Sequence, residues 1–233
     1  TVGVSNIRFV DEDLRPGLYG GTLSWEAPPN DTDPVVKGFA VYLAPAMDWV
    51  TTRVQLGSDL PTDNITIEVP FGTSLATFTH LLVYTVNADG RQASPEAVAV
   101  HDIIRPTSTV HGMTFFDGDT DFGEIIGRLS WSAPAGGAAY ATLYRVYLST
   151  GASKDGAEVA FQLHVGTTFV DFGSAGAPFA VGNWTHFGVF AANADEEAAN
   201  GVWLAIVDRA VPVEGAQALS FTDEDLVAGA VAG

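Results

Sequence analysis

Leu23-Ser24-Trp25-Glu26-Ala27-Pro28 returns 106 positions later as Leu129-Ser130-Trp131-Ser132-Ala133-Pro134. The same offset holds far to either side of this motif. Among the other residues that recur at this offset are Phe9, Asp11, Asp13, Gly17, Gly21, Thr79, His80, Asn87-Ala88-Asp89 and Asp102. A repeat of this length predicts that each copy forms one structural unit.

The repeat divides the 233-residue chain into two complete units and the start of a third. We place unit one at residues 1–106 and unit two at residues 107–212, each ending on a proline. Residues 213–233 begin a third copy, because Phe221-Thr222-Asp223-Glu224-Asp225 lies 106 positions after residues 115–119. The joints are only a few residues long, so neighbouring units should touch and not swing freely.

Short runs of alternating apolar residues predict strands in both units. In unit one the runs lie at residues 4–9, 22–26, 39–43, 54–56, 65–67, 81–85 and 98–100. Every second side chain of a strand points to the same face, so one set should face a core and the other should face water. Only residues 223–233, rich in Ala and Gly, leave a weak helix open as an alternative. The pattern predicts an all-β fold of two tandem seven-stranded antiparallel β-sandwiches, followed by the first strand of a third unit.

Three motifs carry a resemblance to a known family. Residues 23–28 are followed by Phe39-Ala40-Val41-Tyr42 and then by Val83-Tyr84-Thr85-Val86-Asn87-Ala88-Asp89-Gly90. This order resembles fibronectin type III domains, in which a strand-B Trp packs in the core and strand F ends in an Asn-containing turn. The resemblance implies an immunoglobulin-like β-sandwich in each unit. The family's corner tyrosine falls on Thr79 and Thr185, so that contact is expected to be missing. The repeated Phe-x-Asp-x-Asp segment is also similar to tandem arrays in large algal and protist surface proteins.

Composition excludes several classes of function. The chain has 28 acidic and 10 basic residues and a net charge of −18, so no nucleic-acid partner is expected, because phosphates are bound by basic surfaces. It has no cysteine, which excludes disulfides, thiolate metal sites and thiol catalysis. Its hydrophobic content of 47% argues against disorder. No run reaches the roughly 18 apolar residues that would predict a membrane span.

The polar feature that the repeat shares most clearly is an Asp-x-Asp pair after the first strand. Carboxylates at alternate positions of a tight loop can converge on Ca²⁺, which takes about six to eight oxygen ligands. The end of the last strand and the turn of the next unit should face this loop and could supply further ligands. The candidate calcium ligands are Asp11, Asp13, Asp102, Asp117, Asp119, Asp121, Asp195 and Asp208. A bound cation would remove their mutual repulsion and stiffen the joint.

The alternative for these residues is that they cap turns and stay hydrated, since Asp favours such positions. Arg15 also stands where unit one would need a third Asp. The sequence leaves the two interpretations open.

Other candidate contact residues are aromatic or could carry glycans. Trp25 and Trp131 are expected in the core. Trp203, on the opposite face of its strand from Leu204, is the best candidate for a contact site, although partial burial at an interface fits it better. Asn-x-Ser/Thr sites occur at Asn30, Asn64 and Asn183; they could carry glycans or arise by chance in a Thr-rich chain.

No motif of the sequence predicts catalysis. Ser24 and Ser130 lack a Gly-x-Ser-x-Gly context. The histidines have no zinc-like spacing, and no glycine-rich phosphate loop is present.

The sequence therefore favours a non-enzymatic structural or adhesive segment of an extracellular or cell-surface tandem-repeat protein. Such a chain would bind protein partners or associate end to end into filaments, with Ca²⁺ stiffening the joints. The alternative is a carbohydrate- or ligand-binding accessory module of a larger secreted protein, with glycans as partners. An enzyme is a third interpretation, but a sandwich this small leaves little room for a cleft.

Overall fold

The structure is a computed structural model that describes residues 3–29, 36–45, 52–74, 77–212, 220 and 227–228. Apart from three residues, the predicted start of a third unit at 213–233 lies outside the described residues. The Asn30 site lies outside them as well. No helix that could cross a membrane occurs in the described part of the chain.

Unit one is built from antiparallel strands in two sheets. Its described residues form nine strands: β1 (Ser5–Phe9), β2 (Leu18–Glu26), β3 (Gly38–Ala44), β4 (Val54–Gln55), β5 (Leu60–Pro61), β6 (Thr66–Ser74), β7 (His80–Asn87), β8 (Gly90–Arg91) and β9 (Glu96–Ala99). One sheet has the order β1-β2-β6; the other has the order β4-β3-β7-β8, with β5 beside β3 and β9 beside β7. Seven of these strands coincide with the predicted runs. The other two, β5 and β8, have two residues each and were not predicted from the sequence.

Unit two repeats this arrangement. Its described residues also form nine strands: β10 (His111–Thr114), β11 (Glu124–Ile125), β12 (Gly127–Ser132), β13 (Leu143–Ser149), β14 (Glu158–His164), β15 (Phe169–Phe172), β16 (Phe179–Ala180), β17 (His186–Ala192) and β18 (Val202–Ala205). The sheets have the orders β10-β12-β15, β11-β16 and β14-β13-β17-β18. Together, β11 and β12 correspond to β2 of unit one. Every sheet thus draws its strands from one side of residue 106, and the all-β fold predicted from the sequence is confirmed.

The repeated indole lies in the hydrophobic core of each unit. Trp25 meets Phe39 edge to face, with ring centroids 5.4 Å apart, and Trp131 meets Tyr144 in the same way at 5.7 Å. Both indoles are almost fully buried, which confirms their predicted place. Burying a large apolar side chain contributes about 1.5–3 kcal/mol to folding, so these two positions help to stabilise each core.

Strands β3 and β7 are buried on both faces, and the prediction that every second side chain faces water is wrong for them. Leu82 and Tyr84 of β7 pack with Tyr42 of β3 in a second cluster, on the face turned away from the main core. The guanidinium group of Arg53 lies 4.6 Å from the Tyr42 ring centroid and 4.8 Å from that of Tyr84. A cation stacked on two aromatic faces shields them from water, and this accounts for the second buried layer.

Candidate functional site at the joint between the units

A buried aspartate organises the loop after the first strand of each unit. We call residues 10–17 and 116–123 the acidic loops. In unit one, Asp11 is almost fully buried; its Oδ1 accepts hydrogen bonds from the backbone N–H of Asp13 at 3.0 Å and of Gly20 at 3.1 Å, and its Oδ2 accepts one from Ile103 at 3.1 Å. Because Ile103 follows β9, this carboxylate ties the acidic loop to the end of the unit.

Asp117 makes the same three bonds in unit two. It accepts hydrogen bonds from the backbone N–H of Asp119 at 2.9 Å, Ile126 at 3.0 Å and Arg209 at 3.0 Å. Each donor lies 106 positions after its counterpart in unit one. A carboxylate that accepts several N–H groups can stay charged when buried, so the repeated Asp has a structural role in both loops.

A second aspartate closes each acidic loop from the other side. Oδ2 of Asp102 accepts a hydrogen bond from the N–H of Gly17 at 2.9 Å, and Oδ2 of Asp208 accepts one from Gly123 at 2.7 Å. Both glycines have positive φ, 73° and 86°, where a side chain would be strained. The Oδ1 atoms of Asp102 and Asp208 are buried without a hydrogen-bond partner in the described structure.

In unit one the charge of Asp102 affects the pKa of Asp11. Burial raises the pKa of Asp11 above its usual value; the three backbone hydrogen bonds act against burial, and the charge of Asp102 adds to its effect. Burial also raises the pKa of Tyr19 to about 12, with a further contribution from the charges of Asp102 and Asp11. The part of unit one around the acidic loop is therefore a locally negative environment.

Asp13 and Asp119 occupy equivalent positions but have different partners. Asp13 accepts two hydrogen bonds from the Arg15 guanidinium group, at 2.7 and 2.6 Å, and one from the N–H of Gly72 at 2.7 Å. The Arg15 bond is the main reason why the pKa of Asp13 is lowered to about 2. Asp119 accepts the N–H of Thr120 in place of these bonds. Both aspartates also accept the N–H two residues further on, that of Arg15 at 3.3 Å and that of Asp121 at 3.0 Å.

The predicted calcium ligands thus form turns in the described structure. Asp121 is exposed, and its carbonyl oxygen accepts a bond from Glu124. Among the described residues no three His, Asp or Glu side chains are grouped so that they could hold a metal ion. Calcium binding stays a prediction, and the unpartnered Oδ1 atoms of Asp102 and Asp208 are the oxygens that could contribute to it.

Two side-chain contacts, one of them an Arg–Glu ion pair, cross the joint between the units. Asp195 of unit two faces the joint, as expected from the sequence, and its Oδ1 lies 3.0 Å from Nε2 of His101. Glu196 pairs with Arg105, with Oε2 3.1 Å from Nη2. Asp195 therefore meets a histidine here; the carboxylates of Asp11, Asp13 and Asp102 are bonded within unit one.

Asn193 is the joint residue that the sequence reasoning did not single out. Its Nδ2 donates to the carbonyl oxygen of Ile104 at 2.7 Å and to that of Tyr140 at 3.1 Å, and its Oδ1 accepts the N–H groups of Asp195 at 3.0 Å and Glu196 at 2.7 Å. One amide thus shapes the turn and attaches it to unit one. The recurrence of Asn at positions 87 and 193 was the signal that could have pointed to it.

Solved structures resemble the fold of this chain. The FN1–FN3 domains of chicken CNTN1 match with a TM-score of 0.54 over 90% of this chain and 68% of that chain, at 12% sequence identity. The fold is that of fibronectin type III domains. At this identity the likeness shows the fold alone. No protein-family model and no curated protein matches the sequence.

The remaining candidate contact residues are placed as follows. Trp203 is partly buried; its ring packs on Phe190 with centroids 5.5 Å apart, and the Lys154 ammonium lies 4.1 Å from the Phe190 ring centroid. It therefore takes part in the outer layer of unit two and does not stand free. Asn64 and Asn183 are exposed, so both acceptor sites are accessible.

Proposed function

We propose that this chain is a non-enzymatic structural or adhesive segment of an extracellular or cell-surface tandem-repeat protein. The observation that carries the proposal is the joint, where the Arg105–Glu196 ion pair, the His101–Asp195 contact and the Asn193 bond to Ile104 join unit two to unit one. Units that each have a core and touch through a bonded joint form a stiff rod by simple repetition. Protein partners or other rods would meet its sides or ends.

The net charge of the chain disfavours contacts between copies along the sides of such a rod. A net charge of −18 makes parallel copies repel each other at close range. At physiological salt this repulsion acts over about 8 Å and is largely screened at longer distances. Lateral bundling of copies is therefore disfavoured, and contacts with the next repeat unit or with protein partners are left to the ends of the rod.

The use of the acidic groups supports a non-catalytic role. General acid–base work needs carboxylates that reach a substrate. Among the described residues, Asp11 and Asp117 are buried and direct their oxygens at backbone N–H groups. The most perturbed carboxyl group, Asp13, is bonded to Arg15 and Gly72. These shifts reflect loop structure, which is the alternative explanation for perturbed groups.

The test is whether the two units move as one body. Residual dipolar couplings measured on the full chain should give one alignment tensor shared by residues of both units. The double variant His101→Ala/Arg105→Ala should separate the tensors, while Arg128→Ala, which removes an exposed ion pair of β12 with Asp171, should not. Two independent tensors in the unmodified chain would contradict the rod.

A further inference from the structure

The far end of unit two repeats the main-chain arrangement that receives unit two at the end of unit one. We call these ends the poles; each consists of an acidic loop and the residues after the last strand, 100–106 or 206–212. Beyond the matched aspartate bonds, two pairs of backbone bonds recur at the 106-residue offset: Arg105 N–H to Leu14 O and Val211 N–H to Thr120 O, both at 3.1 Å, and Glu12 N–H to Gly20 O and Gly118 N–H to Ile126 O, both at 2.7 Å. The unit-two pole therefore has the same main-chain framework as the pole of unit one. We call the surface of a pole that can receive the turn of the next unit a seat; the first seat is on unit one and the second on unit two.

Two side chains on this second seat are apolar where those of the first are charged, while Arg209, at the position of Ile103, is exposed and its guanidinium group lies 4.5 Å from the Phe116 ring centroid. Val207 and Val211 stand at the positions of His101 and Arg105, and they are 65% and 56% exposed. Phe116 and Phe122 of the adjoining acidic loop are 67% and 89% exposed. Four large apolar side chains exposed on one pole are more than scattered surface residues usually present.

The chain itself indicates what covers this surface. Residues 213–233, which follow the pole directly, repeat the start of a unit at the same offset. At the first joint, the unit that follows the pole places its turn on it, with Asn193 donating to Ile104. The carbonyl of Ala210 stands at the position of Ile104, ready to accept the same bond.

We propose that the unit-two pole seats the turn of the repeat unit that residues 213–233 begin. That turn carries Asn at the position of Asn193 and uncharged, apolar side chains at the positions of Asp195 and Glu196. The inference rests on the proposed tandem-repeat function and adds a pairing rule between successive units. The physical reason is desolvation: a carboxylate pressed against Val207 or Val211 would lose water and gain no partner from either side chain. The nearby Arg209 already donates to the carbonyl oxygen of Asp117 and lies over the Phe116 ring.

A second copy of this chain fits the seat less well. Its free turn, Asn87-Ala88-Asp89-Gly90, has the same shape, since Oδ1 of Asn87 accepts the N–H groups of Asp89 and Gly90. However, it would place Asp89 against Val207. End-to-end pairing of copies is therefore an outcome of the test that would overturn the pairing rule.

The rule can be tested at the existing joint of the full chain. His101→Val/Arg105→Val gives the first seat the side chains of the second. Because the Arg105–Glu196 ion pair and the His101–Asp195 contact are both lost, exchange of the peptide at residues 193–197 should become roughly tenfold faster. Adding Asp195→Val/Glu196→Val should restore protection to within about threefold of the unmodified chain. Arg128→Val is the matched control and should change nothing there. Unchanged protection in the first double variant, or no restoration in the quadruple variant, would overturn the rule.

Occupancy of the second seat is tested by completing the third unit. Gly233 corresponds to Gly127, so the full chain followed by residues 128–212 continues the repeat in register. In one version the copied turn keeps Asp and Glu; in the other both are Val. Exchange at residues 207–211 should slow about tenfold only in the Val version, and Val207→His/Val211→Arg should reverse that preference.

Each result has a single meaning. Equal protection by both versions, or by neither, overturns the inference while leaving the rod intact, provided that units one and two still share one alignment tensor. Separate tensors for those two units contradict the proposed function instead. Concentration-dependent association of the unmodified chain through its Asn87 turn would also overturn the pairing rule. If the completed unit does not fold, the experiment at the first joint decides.

Discussion

Gly188 of β17 faces Trp203 of β18, at the place where unit one has Leu82 of β7 facing Ala97 of β9. A Cβ atom on Gly188 would lie within 2.7 Å of ring carbons of Trp203. The two units thus fill the same outer position with the large and small residues exchanged between the paired strands. Volume is conserved across the pair, although neither position is conserved by itself.

This exchange predicts strong coupling between Gly188 and Trp203. Gly188→Leu alone should destabilise unit two by about 2 kcal/mol or more through overpacking, and Trp203→Ala alone should do so by leaving a space. The double variant recreates the Leu–Ala pair of unit one, so its loss should be smaller than the sum by about 1–3 kcal/mol. Urea unfolding of the four proteins measures this cycle, and simple additivity would contradict it.

The joint predicts different effects for the same substitution in the two turns. Asn193→Asp keeps the acceptor of the turn but removes both donors and turns a charge toward the carbonyls of Ile104 and Tyr140. It should cost about 2 kcal/mol or more. Asn87→Asp, in the free turn, should cost about 0.5 kcal/mol or less. Urea unfolding compares them, and equal effects would show that the amide does not hold the joint.

The acidic loops predict that charge is needed at Asp11 and Asp117. An Asn side chain there can accept hydrogen bonds with one oxygen only and turns its NH₂ group toward a backbone donor. Each Asp→Asn change should lower the unfolding free energy by about 1.5–3 kcal/mol. Asp121→Asn, on the exposed part of the same loop, is the control and should have almost no effect in the same urea titrations.

Acid should weaken the contact of Asp13 in unit one. Because the pKa of Asp13 is lowered to about 2, from an ordinary value of 3.8 in the unfolded chain, the folded state favours the charged form. Its contribution is complete above the unfolded pKa and is lost as the pH falls through about 2. Arg15→Gln should therefore lower stability by a constant amount above that window, and the difference should shrink within it. Unfolding measured between pH 6 and roughly pH 2 decides; a difference that grows on acidification would have the wrong sign.

Calcium binding at the poles predicts heat on titration and a rise in Tm over a sample in EDTA. The contributing oxygens would be the unpartnered Oδ1 atoms, so Asp102→Asn/Asp208→Asn should abolish both effects. Asp155→Asn, at an exposed aspartate that is not among the predicted ligands, serves as the control. Calorimetry that shows no heat and no change in Tm would leave these aspartates with their hydrogen bonds alone.

The sequence predicted what depends on repetition and alternation. The repeat marked Trp25 and Trp131 as equivalent positions, and the resemblance to fibronectin type III domains, whose strand-B Trp packs in the core, placed both indoles there. The buried outer layer around Tyr84 was missed, because it depends on where the Arg53 side chain comes to rest, and no local pattern encodes that. Asn193 was missed for the same reason: its acceptor on Ile104 belongs to another unit and lies 89 residues away.

Two hydrogen bonds lie at the point where the chain leaves unit two: the N–H of Arg209 donates to the Asp117 carboxylate, and the N–H of Val211 donates to the Thr120 carbonyl oxygen. A pulling load applied along the polypeptide reaches these bonds before it reaches the core around Trp131. These hydrogen bonds would break first, and a few residues would then extend while the sandwich stays folded. If every unit had these hydrogen bonds, a chain of repeats would lengthen slightly under tension and shorten again when the load is removed.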